Sequence, residues 1–457
     1  MCGIAGATGD SSKELVQDML DAIRHRGPDG SGTFTRYDIT LGNVLLEITG
    51  ERPQPITDGG ALVYNGEIYN FKDIAEKLNI RTDSDSETLF ALIKKKGLEK
   101  AIAELDGDYS FAFAEDGKIY IARDPVGVKP LFYSIGEIFA FASEKKALFA
   151  AGMDEICALR PGHMLTYSTH GIIEKKVTGF ETGGRITDEN AASDMLYKLM
   201  EQAVKKRNFK PCAIAFSGGL DSSFIAALAS DPDLYSIGMK GSHDIQQTRY
   251  AAKLLGKEDK LHLFELTTGE LESAIPEIIR AIESDDPQKV SIATPLYFAS
   301  KKASKDGIRV MLSGQGADEL FAGYKRYVSK CHDALELALR IDIENISKNN
   351  LERDDAAAMA NSVELRVPFL DKKVIELALR IDAELKVHNG IRKYILRKAA
   401  HSILPDELLW KEKKAAQYSS GVYPALEKLA KKNGFSGERF TGRYLESISK
   451  NIMTSKK

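Results

Sequence analysis

The second residue is a cysteine. The chain opens Met1-Cys2-Gly3-Ile4-Ala5-Gly6, so loss of the initiator methionine would leave a thiol and a free α-amine on one residue. An N-terminal amine titrates at roughly 7.7 to 8.0 and a free thiol at about 8.5, so near neutral pH the amine can accept the thiol proton. Cys2 then has the means to attack an amide carbonyl without a histidine. A cysteine in second place is common enough to mean little by itself, but two further segments give it weight. One is Ala61-Leu62-Val63-Tyr64-Asn65-Gly66-Glu67, an apolar strand ending in Asn-Gly, a pair that usually marks a tight turn. The other is Ser217-Gly218-Gly219-Leu220-Asp221-Ser222-Ser223, set between the apolar run Cys212 to Phe216 and the helical run Phe224 to Ala229. Strand, glycine-rich turn and helix start make an anion cradle, because backbone N–H groups and the helix N-terminus point at one place.

These segments need elements to hold them. At 457 residues the chain is too long for one ordinary domain, and two domains of about 180 and 270 residues fit the usual range. A content of 43% hydrophobic and 28% charged residues is that of a globular protein, and a net charge of −3 offers no electrostatic case for nucleic acid. Cys2, Cys157, Cys212 and Cys331 are scattered without a CxxC pair, which argues against a disulfide framework or zinc site and for a reducing cytoplasm. There is no basic-then-apolar leader, and no apolar run approaches the ~18 residues that cross a bilayer, so no membrane partner is expected. From 1 to about 175, strand patterns at 61–65, 110–115 and 118–122 mix with helical patterns at 12–24 and 86–96, a layered α+β arrangement. Glycine and polar residues at 170–190 suggest a boundary, with domains at 1–180 and 190–457. Beyond it, strands at 212–216, 234–239, 260–265 and 308–312 alternate with helices at 221–230, 246–255, 270–283 and 295–305. That alternation implies right-handed crossovers and a parallel sheet, and the last hundred or so residues read as mostly helical.

Cys2, Asn65-Gly66-Glu67 and SGGLDSS occur in one order with Arg24 to Asp29 (RHRGPD), Ser84 to Glu87 (SDSE), Arg123 to Gly127 (RDPVG), Ser313 to Tyr324 (SGQGADELFAGY), Val363 to Asp371 (VELRVPFLD) and Trp410 to Gln417. In these the chain resembles the glutamine-dependent asparagine synthetases, class II amidotransferases, over nearly its whole length. The resemblance implies an α+β N-terminal-nucleophile glutaminase sandwich, followed by an α/β parallel-sheet ATP-pyrophosphatase (PP-loop) domain with a helical C-terminal part. It implies that Cys2 forms a thioester with glutamine and releases ammonia, with the Asn65 side chain and Gly66 N–H as oxyanion hole. Glu67 and Asp85 complete the glutamine subsite, Asp85 holding the α-ammonium. Ser217, Gly218, Gly219, Asp221 and Ser222 would cradle the pyrophosphate part of ATP, with Ile237 and Gly238 near the adenine and Ser313 and Gly314 near the ribose or phosphates. Asp221 and Asp318 are oxygen ligands of the kind Mg²⁺ prefers, sharing the metal with ATP. Gln315, Asp318, Glu319 and Asp355 fall at the acceptor, and Lys413 matches the family's catalytic lysine. The implied reaction adenylates the aspartate side chain, releases pyrophosphate, and lets ammonia displace AMP to give asparagine. The implied partners are glutamine, aspartate and ATP, with a homodimer by analogy and a tunnel to keep ammonia from bulk water.

Three positions depart from the family pattern. Leu45 stands where an arginine usually binds the glutamine carboxylate, a loss of roughly ten- to a hundredfold in affinity unless Arg26 or Arg52 replaces it. Gln315 stands where many members carry glutamate, and Ala356 where an arginine often follows the aspartate matched by Asp355. Three other readings compete with asparagine synthesis. They are a paralogue adenylating another carboxylate, an ammonia-dependent synthetase with an impaired glutaminase, and a nucleotide-gated regulatory protein with no chemistry.

Overall fold

The computed structural model describes residues 2–50, 52–181, 183–411 and 420–454, and the chain folds into two compact units, Met1–Phe180 and Glu181–Lys457.

The first unit is built on two antiparallel sheets of six strands. One has Cys2–Thr8 near its centre, between Phe139–Ala142 and Ile39–Leu45, with Cys2 opposite Leu45. The other places Ala61–Ile68 beside Gly107–Glu115, with Asn65 opposite Ser110. The strands buried on both faces, such as CGIAGAT at 2–8, carry small and apolar side chains without alternation, as a sheet covered on both sides requires. Ile4, Leu41 and Phe141 from one sheet pack with Val63, Ala112 and Ile121 from the other. Helices Ser12–Ala22 and Lys145–Ala150 cover one outer face, and Phe71–Leu78, Asp85–Lys96 and Leu98–Glu104 the other. The layers therefore run helix, sheet, sheet, helix. One sequence expectation is corrected here: Asn65-Gly66 does not end its strand, which continues to Ile68. Gly66 sits at φ 153°, and a Cβ there would lie 2.2 Å from the Asp108 carbonyl oxygen. The glycine permits close strand pairing rather than a turn.

In the second unit five parallel strands lie in the order Leu261–Leu266, Asp233–Met239, Cys212–Ala215, Val310–Leu312 and Glu364–Arg366. The last of these, within VELRVPFLD, is a strand the periodicity missed, since three residues are too few to show a period. Prolines obscure the helix boundaries: the helix expected to start at 295 runs Pro287–Lys305, with Asp286 capping the Lys289 N–H and Pro295 inside it. An interior proline normally interrupts a helix, but burial of Val290, Ala293, Thr294 and Tyr297 carries this one through. The C-terminal part is helical at Lys372–Arg380, Tyr394–Ala400, Val422–Lys432 and Phe440–Thr454. Among the described residues no helix is long and apolar enough to cross a membrane.

Asp371, which closes VELRVPFLD, caps the helix Lys372–Arg380 through the Lys373 N–H and pairs at 2.7 Å with Arg207, itself 1% exposed. Burial would raise the Asp371 carboxyl, but two cations, Arg207 and Lys206, hold it below its ordinary value. Removing one partner of a buried pair typically costs about 3 to 5 kcal/mol, so Asp371→Asn is expected to lower the unfolding free energy of this unit by that amount in denaturant titration; a loss below about 1 kcal/mol would show the pair to be energetically idle.

Candidate functional site

Cys2 begins a fully buried strand and is 4% exposed. Its backbone nitrogen donates to Asn65 Oδ1 at 3.1 Å, while Asn65 Nδ2 donates to Ser110 Oγ at 3.4 Å. Burial, the largest influence, pushes the Cys2 thiol above its ordinary value. A resident thiolate is therefore disfavoured, and attack needs a base at the moment of reaction. Among the described residues lining the pocket around Cys2 there is no histidine; they include Leu45, Glu47, Arg52, Gln54, Gly66, Glu67, Asp85 and Ser86.

Of the residues predicted from sequence, Cys2, Gly66, Glu67 and Asp85 line this pocket together, and Asn65 touches it through the Cys2 nitrogen. Asp85 accepts from the Tyr64 hydroxyl at 2.7 Å and from the Ile68 N–H at 3.1 Å. Burial first and the neighbouring Glu67 second push its carboxyl up to about 7, a cost that a bound ammonium group would relieve. Glu67 accepts from Thr49 Oγ1 at 2.9 and 3.0 Å. Leu45, the position at which an arginine was expected, also lines the pocket as an aliphatic side chain. Of the two replacements considered, Arg26 is fully buried and engaged with Glu144 and the Cys2 carbonyl, whereas Arg52 lines the pocket, bridged to Glu87 at 2.7 Å. Two supporting residues escaped sequence reasoning. Gln54 donates to Cys2 Sγ at 3.8 Å and accepts from the Tyr64 N–H at 2.7 Å. Glu144 gathers Arg26, His25 and Lys146 beside the strand that begins at Cys2. Burial would raise the Glu144 carboxyl, but Lys146, His25 and Arg26 together hold it well below its ordinary range. Only the Gln-Pro pair signalled Gln54, and nothing in sequence marked the cluster as one.

The second unit carries a separate pocket at the C-terminal edge of the parallel sheet, the customary ligand position in open α/β folds. Ser217, Ile237, Ser313 and Gln315 line it with Phe216, Ser236, Pro295, Leu296 and Asp354. Behind it the glycine-rich turn is knitted together: Ser217 and Ser222 hydroxyls meet at 3.2 Å, and Gln247 Nε2 donates to the Gly218 carbonyl at 2.7 Å. Gly219 caps the helix Leu220–Leu228, and Gly314 lies so close to Asp221 that a Cβ on it would come within 2.9 Å. Gly238 instead packs beneath the helix His243–Leu254, near Ser242 and Ile245, away from the lining. On the helix Glu352–Met359 it is Asp354 that faces the pocket, bonded to Gln315 Nε2 at 2.5 Å, and not Asp355. Consecutive helical residues point about 100° apart, so Asp355 is buried on another side of the helix. Glu319 is buried, bonded to Tyr324 and to Asn350 at 2.8 Å, and burial pushes its carboxyl up with Asp318 adding to the effect. Lys413 lies outside the described residues. Lys393, which no sequence motif singles out, places Nζ at 2.6 Å from both Asp221 and Asp318.

These are the features of a two-site amidotransferase: a buried cysteine facing acids in an antiparallel sandwich, and a glycine-rich turn leading into a helix on a parallel sheet. Residues 1–182 match the family described as a glutamine amidotransferase domain, and residues 195–334 and 328–436 match asparagine synthase. A Methanocaldococcus jannaschii protein named "Putative asparagine synthetase (glutamine-hydrolyzing) 1" is 36% identical over 99% of this chain and 100% of its own length. A Schizosaccharomyces pombe protein named a probable glutamine-hydrolyzing asparagine synthetase is 32% identical, covering 92% of this chain and 85% of its own. The glutamine-hydrolyzing asparagine synthetase of Zea mays is also 32% identical, over 92% and 78% respectively. The chain belongs to the glutamine-hydrolysing asparagine synthetase family.

The Asp85 carboxyl is expected to titrate with a midpoint near pH 7, read as the infrared carboxyl band absent from Asp85→Asn, and to shift downward in Glu67→Gln. A midpoint near the unperturbed value of about 3.9 would contradict the burial argument.

Proposed function

We infer that this chain makes asparagine from aspartate, ATP and the amide nitrogen of glutamine, through two sites with separate chemistry. The observation that carries the reading is the pairing, in one chain, of Cys2 held against Asn65 with an intact SGGLDSS cradle.

At the first site the Cys2 thiol attacks the glutamine amide carbon. With the methionine removed, the Cys2 amine takes the thiol proton and passes it to the departing ammonia, which leaves a thioester; water then releases glutamate. Asn65 Oδ1 orients that amine, and the second Nδ2 hydrogen and the Gly66 N–H are the donors offered to the oxyanion. Such donors are typically worth about 3 to 4 kcal/mol. Glu67 and Asp85 take the α-ammonium. Arg52 is the one cationic side chain among the described lining residues, and it takes the α-carboxylate in the place that Leu45 leaves apolar. The presence of an alternative cation favours glutamine use over a decayed glutaminase.

At the second site ATP lies over Ser217, Gly218, Gly219 and Ser222, with the base against Ile237. The aspartate side-chain carboxylate attacks the α-phosphorus, pyrophosphate leaves, and ammonia displaces AMP from the acyl-adenylate. Asp221 and Asp318 suit a shared Mg²⁺: both carboxylates already converge on a single cationic nitrogen, the arrangement two acids need to share a cation. Mg²⁺ bound there would neutralise charge on the phosphates; Lys413 is proposed for the same task from the phosphate side. Gln315 cannot accept a proton as a glutamate could, and its bond to Asp354 directs it to positioning the acceptor.

Incubation with Mg-ATP, aspartate and amide-¹⁵N glutamine is expected to yield labelled asparagine and AMP, and Cys2→Ala to abolish this while sparing synthesis from ¹⁵N-ammonium. Labelled asparagine from ammonium only would favour the impaired-glutaminase reading, and none from either source would favour another acceptor. Arg52→Ala is expected to raise KM for glutamine about ten- to a hundredfold with ammonium-driven synthesis unchanged, as loss of one charge-assisted bond requires. An unchanged KM would remove Arg52 from the site.

A further inference from the structure

Lys393 is 3% exposed, precedes the helix Tyr394–Ala400 and holds a left-handed backbone at φ 55°. A non-glycine residue in that region is uncommon and persists where its surroundings over-determine it. The side chain shows what those surroundings secure. Nζ donates to both Asp221 carboxylate oxygens, at 2.6 and 2.7 Å, and lies 2.6 Å from Asp318 Oδ1. Asp221 comes from the glycine-rich cradle and Asp318 from the helix Ala317–Leu320, so one ammonium joins the two segments. Gly323 makes room for the junction: a Cβ there would fall 1.9 Å from Asp318 Oδ1 and 2.3 Å from Lys393 Cε.

We propose that Lys393 is a placeholder cation, occupying the position between Asp221 and Asp318 until nucleotide arrives and then turning its ammonium toward the phosphates. The inference rests on the reading of Asp221 and Asp318 as metal-sharing acids. With its nitrogen on both carboxylates, Lys393 offsets much of the attraction that Asp221 and Asp318 would otherwise exert on a divalent cation before nucleotide binds. ATP brings its own metal and an excess of negative charge, so the ammonium loses nothing by exchanging carboxylates for phosphate oxygens. A flexible four-carbon stem suits a group that must change partners. The consequence is ordered capture: metal enters with nucleotide rather than ahead of it, and the acids are kept in place in the meantime. Lys393 acts on the metal through the two carboxylates and is a positioning residue in the free protein.

The test is titration of the full chain with Mn²⁺, which reports its free concentration by electron paramagnetic resonance, with and without ATP. Without nucleotide, Lys393→Met is expected to bind Mn²⁺ at least tenfold more tightly than the unmodified protein. With ATP the order reverses, Lys393→Met holding Mn·ATP at least tenfold more weakly. A purely structural lysine would lower both affinities when replaced. Lys393→Gln, whose amide still donates to a carboxylate and so supports folding, is expected to move in the same two directions by a smaller factor. Equal or weaker binding of free Mn²⁺ by both variants, with Mn·ATP binding intact in the unmodified protein, would overturn the placeholder role. Mn·ATP binding that is indifferent to Asp221→Asn would overturn the metal reading, and this inference with it.

Discussion

Everything in the N-terminal unit is arranged around one short contact, the 3.1 Å bond from the Cys2 nitrogen to Asn65 Oδ1. It joins the leading strand of one sheet to the middle of a strand in the other, so it can form only if the sandwich closes in register. The packing of Ile4, Leu41 and Phe141 against Val63, Ala112 and Ile121 supplies that closure. Gly66 lets its strand approach Asp108 and Tyr109 closely enough to bring Asn65 opposite Ser110. The Arg26 guanidinium, held by Glu144, reaches the Cys2 carbonyl and fixes the chain end from the other side. Burial then does two things at once: it keeps the thiol protonated, and it raises the value of any base placed beside it.

The second unit solves a different problem, the gathering of like charges. Asp221, Asp318 and Glu319 are brought near one another, which is costly for the buried Glu319 in particular. Lys393 answers Asp221 and Asp318, and Tyr324 and Asn350 answer Glu319. On the pocket wall, the Gln315–Asp354 bond offers an uncharged partner to a carboxylate whose ordinary value burial raises, with Arg353 opposing that shift. The departure at Gln315 thus comes with a partner of its own.

Much of this was legible in the sequence, and the reasons for the rest are particular. The strand–turn–helix of SGGLDSS and the layered first half follow from hydrophobic pattern and glycine placement. Cys2, Asn65, Asp85 and the cradle serines come from motif resemblance, which the family membership of the chain supports as a whole. Asn65-Gly66 reads as a turn because glycine permits both a turn and a close strand approach, and local sequence does not choose between them. The strand Glu364–Arg366 is too short to carry a period, and the helix at 287–305 hides its first two turns behind Pro295. Asp354 and Asp355 differ only in helical phase. Lys393 lies 172 residues from Asp221, a partnership that no spacing rule could anticipate. Gln54 reaches the first site from a loop that carries no regular pattern at all.

The central claim is that Cys2 works with its own amine as base. The most direct measurement compares glutamine hydrolysis by the chain beginning at Cys2 with that by a chain keeping one uncleaved residue ahead of it, both assayed also for asparagine synthesis from ammonium. A general base typically contributes about 10² to 10⁴ in rate, so the blocked chain is predicted to lose at least a hundredfold in glutamine hydrolysis while its ammonium-driven synthesis stays unchanged. Equal glutamine hydrolysis by the two chains would contradict the account and require another base in the pocket.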